Sequence, residues 1–446
     1  MIEVIDAFWR SAVSFVWGLP LVIALAGSAC YFAWVSRFMP LRYLGHALAL
    51  LSGRFERDTD AGEISHFRAL SAALSGTIGM GNIAGVAIAI SIGGSGAVFW
   101  MWVAGTLGMA TKFFTCTLSC LYRKPDASGV MQGGPMYFIE VGLGPRYKPL
   151  AMMFAAFGMI GCLGIFQGNQ LANLLANEFE LPQIVTGLAA AVVVGAVVIG
   201  GITRVGKVAA TIVPLMCVLY LLGGAVVVID HWERVPQMLV AIVVGAFDPS
   251  AGLGGAAGIA FREVLVTGVK RAVFSNEAGV GTEAMAHGAA RTSEPVREGL
   301  VAMLGPVIDT HIVCTVTALV ILLGTTPDAD VAGVVITARA FEASMPGLGG
   351  SVLIVVFTLF AVTTMITYAY YSVKCACYLL GERWGKRFIY VYLGTLPLFA
   401  TVTPKISVNI IDTVYGLMVV PTLTATVLLA PRVMEASRDY FERQFG

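Results

Sequence analysis

Eleven apolar runs of about twenty residues, separated by short polar joints, leave this chain few folds to choose from. They lie near 12–35, 67–92, 96–122, 149–177, 183–202, 206–229, 260–287, 299–324, 351–379, 386–403 and 408–431. About 20 apolar residues in a helix cross the hydrocarbon of a bilayer. Backbone polar groups at that depth are satisfied only in helices or closed barrels. Barrel strands alternate polar and apolar residues, and these runs do not. The expected class is therefore an all-α polytopic membrane protein, one integral domain over 1–446 surrounded by the lipid bilayer. Charged residues make up 12% of the chain, half the ~25% of soluble domains. A net charge of +1 gives no general attraction for nucleic acid. The eight cysteines all sit in apolar runs without a CxxC or Cys/His cluster. They read as small buried hydrophobes rather than a disulfide or zinc framework, and no cofactor is expected.

The basic residues orient the chain. The joints after odd-numbered runs, with the C-terminal tail, hold nineteen Lys and Arg, and the opposite side holds five. The first side, which carries Arg37, Arg123, Lys124, Arg291, Lys386 and Arg443, is expected to be cytoplasmic. That puts the N-terminus outside and the C-terminus inside. Glu3 and Asp6 stand where a signal peptide would be basic, so the first run is expected to be a retained helix. The stretches MQGGPMYFI in joint 123–148 and GAFDPSAGLGGAAGI at 245–259 are expected to be short interfacial or re-entrant pieces.

Two runs are interrupted. The second reads LSGTIGMGNIAGVA, with Gly76, Gly79, Gly81 and Gly85; the seventh reads VFSNEAGVGTEA, with Gly279 and Gly281. GMGN at 79–82 and GVGT at 279–282 are 200 residues apart, each in the first helix of a five-helix block. Five is odd, so the second block starts from the opposite side, and the repeats, 67–229 and 260–431, are inverted. Paired glycine-interrupted segments in matching positions of inverted halves point to a transporter's binding site. A break frees amides and carbonyls that hydrocarbon cannot satisfy and a ligand can. Amides at a half-helix N-terminus suit a carboxylate, and carbonyl ends suit an ammonium or a metal cation. Gly85 and the scattered glycines read instead as close helix packing.

Polar side chains gather at the breaks. Thr77 and Asn82 flank the first, and Ser275, Asn276 and Glu277 lead into the second. The fourth run holds Gln167, Asn169 and Gln170; the ninth holds Thr363, Thr364, Thr367 and Tyr368. An isolated membrane threonine usually bonds a carbonyl of its own helix. The adjacent pair Thr363–Thr364, with a broken helix elsewhere in the chain, favours sodium, for which hydroxyl and carbonyl oxygens suffice. Of the intramembrane charges, Glu277 is open to an ion pair with Arg271, and His287 and His311 read as satisfied core histidines.

The strings GTIGMGNIAGVA (76–87), QGGPMYFI (132–139), FSNEAGVG (274–281) and the threonine pair within AVTTMITYAYY (361–371) carry a resemblance over nearly the whole length. The chain resembles the alanine or glycine:cation symporter family, sodium:alanine symporters of the amino acid–polyamine–organocation superfamily. The resemblance implies a LeuT-type 5+5 inverted repeat with one extra N-terminal helix, here 12–35, eleven transmembrane helices in all. It implies a multi-pass protein of the bacterial inner membrane, working as a monomer, that couples sodium to a small neutral amino acid. Amides around Gly79, Met80 and Gly81 would hold the substrate carboxylate, beside Asn82. Carbonyls near Phe274, Ser275 and Asn276, with the Thr77 hydroxyl, would take the ammonium. Val280 would line the side-chain pocket, and Gln167 and Asn169 would close one wall. Sodium would lie among the Ser75, Ile78 and Phe360 carbonyls, Thr363 and Thr364. Two departures touch that pocket: Thr367–Tyr368 stands where the family has Gly-Trp, and Leu163–Gly164 where it has Gly-Asn. Tyr368 is expected to face the substrate side chain, with its hydroxyl partnered by Thr367 or by a polar substrate group.

Alternatives from other classes are weaker. Proton coupling would use Glu277 or Asp309, and a symporter for a larger or polar neutral amino acid would use the altered pocket. A channel would need rings of charge or carbonyls. An enzyme would need HExxH, GxSxG or a comparable set, and none is present.

Overall fold

The structure is a computed structural model that describes residues 2–56, 60–126, 129–247, 257–324 and 333–445. The described residues are almost wholly helical, with one two-stranded hairpin pairing Lys124–Pro125 with Met131–Gln132. Helix covers the bulk of every apolar run named above. Among the described residues, six helices are long and apolar enough to cross a bilayer, or eight when two bent pairs count as one span each. The outer helices present lipid-facing side chains: Ile184, Leu188 and Val192 on Gln183–Val198, and Leu215, Leu222 and Ile229 on Gly201–Asp230 are exposed.

The first run differs from its expected single helix. Helix Ile2–Val16 meets helix Leu19–Val35 at a 43° bend. Pro20 accounts for this, since its ring would clash with the carbonyl four residues back, at Val16. The bend is pinned by Trp17, whose indole donates to the Asp412 carbonyl at 2.8 Å. The fourth run also differs. It is two helices, Lys148–Gly161 and Ile165–Phe179, joined through Gly164 at φ +67°.

The long element Gly349–Ala400 turns at Gly381 (φ 77°, ψ 163°). A Cβ on Gly385 would lie 2.3 Å from the Cys377 backbone, so the two arms double back on each other. The QGGP stretch is buried from 133 to 139. A Cβ on Gly134 would meet Met285, and one on Gly133 would meet Ser119 and Gly288. Residues 248–256, the core of the other glycine-rich stretch, lie outside the described residues.

The two interrupted runs break where the glycines stand. Helix His66–Thr77 stops, Ile78 is extended, and the chain resumes as a π-turn, Gly81–Gly85, and helix Val86–Gly93, bent by 51°. Helix Ala257–Asn276 stops before Glu277 (φ 56°), Gly279 (φ 87°) and Gly281 (φ 92°), and resumes at Ala284–His287. Left-handed angles at 279 and 281 are what only glycine adopts without cost.

Candidate functional site

The two breaks touch. A Cβ on Gly81 would sit 3.0 Å from the Ser275 Cα and 3.3 Å from the Phe274 ring. The Phe274 ring is held by Phe166 at 5.2 Å and Tyr415 at 5.7 Å between centroids. Asn82 closes the first break on itself: its Oδ1 accepts from the Gly79 amide at 2.8 Å. Its Nδ2 donates to Asp309 Oδ1 at 2.6 Å. The same carboxylate accepts from Ser275 Oγ at 2.9 Å and Thr310 Oγ1 at 2.8 Å. Asp309 thus ties the first break to the end of the helix before the second. Its partners are all uncharged.

The cation set named from sequence is brought together in part. Thr364 Oγ1 donates across to the Ser75 carbonyl at 2.9 Å. A Cβ on Gly79 would lie 2.6 Å from Thr364 Oγ1 and 3.9 Å from the Phe360 carbonyl. Thr363 bonds its own helix, donating to Leu359 O at 2.8 Å and Phe360 O at 3.1 Å. Ile78 is fully buried at the unwound turn. Neutral oxygens from two elements therefore face each other here, the donor chemistry that a hard monovalent cation takes.

The substrate set divides. Thr77, Met80, Gly81, Phe274, Ser275 and Asn276 are buried at the breaks. Thr77 Oγ1 reaches the Leu74 carbonyl at 3.5 Å, and Asn276 donates to Thr310 Oγ1 at 3.1 Å. Val280 lies inside the second break with its carbonyl taken by Thr422 at 2.8 Å. Gln167 is buried, and its Oε1 has no hydrogen-bond partner among the described residues. Asn169 turns the other way. It donates to the Val402 carbonyl and accepts from Ser407 at 3.3 Å. Two residues on a helix are about 200° apart, so Gln167 and Asn169 cannot close the same wall.

Tyr368 is buried, but its hydroxyl partner is neither Thr367 nor an open pocket. It donates to Glu277 Oε1, with Tyr415 joining the same carboxylate and the same hydroxyl, and Thr282 bonding Oε2. Thr367 bonds Ser75 Oγ instead. Glu277 is not paired with Arg271, which bonds Asp412 together with Lys270. Tyr368→Phe is therefore expected to cost about 1–2 kcal/mol of stability, read as a lower melting temperature of purified protein. The inhibition order of serine and alanine should stay unchanged. A selective loss of serine competition would show the hydroxyl turned toward substrate.

Sequence reasoning missed Tyr415 and the bridging place of Asp309. Tyr415 lies three residues beyond Asp412 in the last apolar run, and nothing in that spacing points it at Glu277. Asp309 stood out only as one of several intramembrane charges, and such charges usually have a partner to be found. His287 is satisfied as expected, bonding Glu298, which also holds His66. His311 bonds Thr106 at 2.9 Å and the Pro306 carbonyl at 3.1 Å.

At the end of the breaks that carries the basic joints, the two helices are fastened together. Ile64 pairs with Ala290 as a parallel bridge. The Arg291 amide donates to Ile64 O at 2.7 Å, and the Arg123 guanidinium reaches the carbonyls of Ala61, Gly288, Ala290 and Thr292.

Residues 2–445 match the sodium:alanine symporter family. An uncharacterized transporter of Haemophilus influenzae is 40% identical over 98% of this chain and 97% of its own. The sodium/alanine symporter AgcS of Methanococcus maripaludis is 38% identical over 96% of each. Among solved structures, MhsT in complex with L-phenylalanine superposes with a TM-score of 0.58 at 13% identity, over 80% of this chain and 89% of that one. That likeness concerns the fold.

Proposed function

The chain belongs to the sodium:alanine symporter family, and from that premise we propose that it is a sodium-coupled symporter importing a small neutral amino acid, alanine or glycine first. The observation that carries the reading is the contact of two helix breaks, Gly81 against Ser275, beside the Thr364–Ser75 oxygens. Amides at the first break suit the substrate carboxylate, and carbonyls before the second suit its ammonium. The family is one of transporters. Eleven spans, with the N-terminus outside and the C-terminus cytoplasmic, form the arrangement we adopt, and the 5+5 inverted repeat goes with it. It is supported by helix over each apolar run and by the turn at Gly381, since 52 unbroken residues would extend far beyond a bilayer.

Sodium between Ser75, Ile78 and Phe360 carbonyls and Thr363 and Thr364 would bind the broken second run to the ninth. It would fix the first break in the shape that accepts the amino acid. Coupling is reciprocal and of about 1–3 kcal/mol. Transport would then proceed by one helix bundle rocking against the rest, as a monomer in the inner membrane.

Thr364→Ala tests the assignment. It removes the hydroxyl that reaches across to the Ser75 carbonyl, and apparent sodium affinity is expected to fall about tenfold, or ~1.4 kcal/mol. Substrate affinity should fall with it at low sodium. Wild-type sodium dependence of uptake in this variant would overturn the site. The buried carboxylates of Glu277 and Asp309 have no ion-pair partner among the described residues, which keeps proton coupling as the second reading. Uptake at fixed pH with and without sodium separates the two.

A further inference from the structure

The ninth-run helix carries Thr364, Tyr368, Tyr371 and Lys374 at steps of four, three and three residues, which places them on one face. Ten residues of helix span about 15 Å. The face therefore leads from the proposed sodium and substrate region toward the side with the basic joints. Tyr371 is the middle step. Its ring lies 6.2 Å from that of Tyr368 and 5.9 Å from that of Tyr370, and its edge faces Gly76 in the first broken helix. The Tyr371 hydroxyl is buried and has no hydrogen-bond partner among the described residues.

At the far end of this face lies a cavity of about 640 Å³ whose lining includes Glu63, Tyr137, Tyr370, Lys374 and Lys386. That is within the ~300–1,000 Å³ of small-molecule sites. Lys374 is 4% exposed, a lysine buried in the wall. Its Nζ donates to the Met285 carbonyl at 3.1 Å and to the Tyr370 hydroxyl at 3.0 Å. An ammonium has three donors, and neither of these acceptors carries charge. Glu63, lining the same cavity, accepts from the Met131 amide through Oε1 at 2.7 Å. Its Oε2 is buried and without a partner among the described residues. One wall thus offers a positive donor with capacity to spare, and another a negative acceptor with one oxygen left over. Buried charges left this way are costly unless a complementary ligand visits them.

We propose that this cavity is a second amino-acid station, on the cytoplasmic exit route, in which Lys374 receives the carboxylate and Glu63 the ammonium of the neutral amino acid leaving the breaks. The proposal rests on the transport reading above. A zwitterion carries one group for each, and the ninth run brings the region of the breaks and this cavity wall onto one helix. Lys374 also holds Met285, just beyond the second break, so the station lies where the second broken helix meets the ninth run.

The test compares faces. Labelled L-alanine is the probe, in right-side-out vesicles for entry from outside and inside-out vesicles for entry from the cytoplasm. Lys374→Gln is expected to raise the half-saturation at the cytoplasmic face about tenfold. Half-saturation at the outer face and sodium affinity should stay within about twofold. Lys374→Arg should restore most of the cytoplasmic value. Glu63→Gln, which keeps an oxygen for the Met131 amide, should give the same one-sided shift more weakly. Equal shifts at both faces in either Gln variant, or none at either, would overturn the station while leaving symport standing. No sodium-driven uptake by the wild type at the outer face would overturn the transport reading, and the station with it.

Discussion

Gly79→Ala and Gly81→Ala are expected to lower transport about 10- to 100-fold while leaving the protein inserted and helical. At Gly79 the new methyl would lie 2.6 Å from Thr364 Oγ1, a hydroxyl fixed by its bond to Ser75. The loss there should appear first in sodium affinity. At Gly81 the methyl meets the Ser275 backbone at 3.0 Å and the Phe274 ring at 3.3 Å. Neither can retreat easily, because Phe274 is wedged between Phe166 and Tyr415. The loss there should appear in substrate affinity. Gly85→Ala is the control, since its methyl would meet only Phe274, at 3.9 Å, an ordinary contact. Sodium and alanine titrations of uptake, with surface expression measured alongside, check all three. Equal damage at 81 and 85 would mean that these glycines serve helix packing.

Asp309→Ala is expected to reduce uptake at least ~100-fold, the cost of stranding several buried donors at once. It removes the acceptor shared by Asn82, Ser275 and Thr310, so the first break loses its tie to the helix before the second. Asp309→Asn keeps the size and one acceptor oxygen, and should recover part of the activity. Initial uptake rates of both variants, normalised to inserted protein, are the measurement. Activity of the alanine variant within about threefold of wild type would show that the bridge is incidental to transport.

The helical runs and the two principal breaks were legible because each has a local chemical cause: unbroken apolar length in the one case, clustered glycine in the other. That Ser75 and the threonine pair would share a site came from the family resemblance; of the pair, Thr364 reaches across and Thr363 bonds its own helix. What escaped depends on rotation about a helix axis and on distant partners. Gln167 and Asn169 look like one motif in sequence, and the helix sends them to opposite sides. Tyr368 was correctly placed inside, yet its hydroxyl is claimed by a glutamate ninety-one residues earlier. The break at Gly164 gave no warning because scattered glycines in an apolar run are ordinary in membranes, and Gly164 is one of four there, with Gly158, Gly161 and Gly168. Its left-handed φ shows itself only in the fold.

The fastening between the two broken helices bears on how the chain is made. Residues 61–66 emerge from the ribosome long before 287–298, yet Ile64 pairs with Ala290 and His66 bonds Glu298, while Asn82 further on waits for Asp309. Contacts so distant in sequence close late. During synthesis the first interrupted helix therefore stands in the bilayer with an unwound turn and an unpaired histidine, dependent on water, lipid headgroups or the insertion machinery. A nascent chain arrested before residue 284 should be correspondingly easy to cleave at 60–66, and the completed chain should not. Biogenesis of the binding site is then an assembly event that only the second half of the polypeptide can trigger.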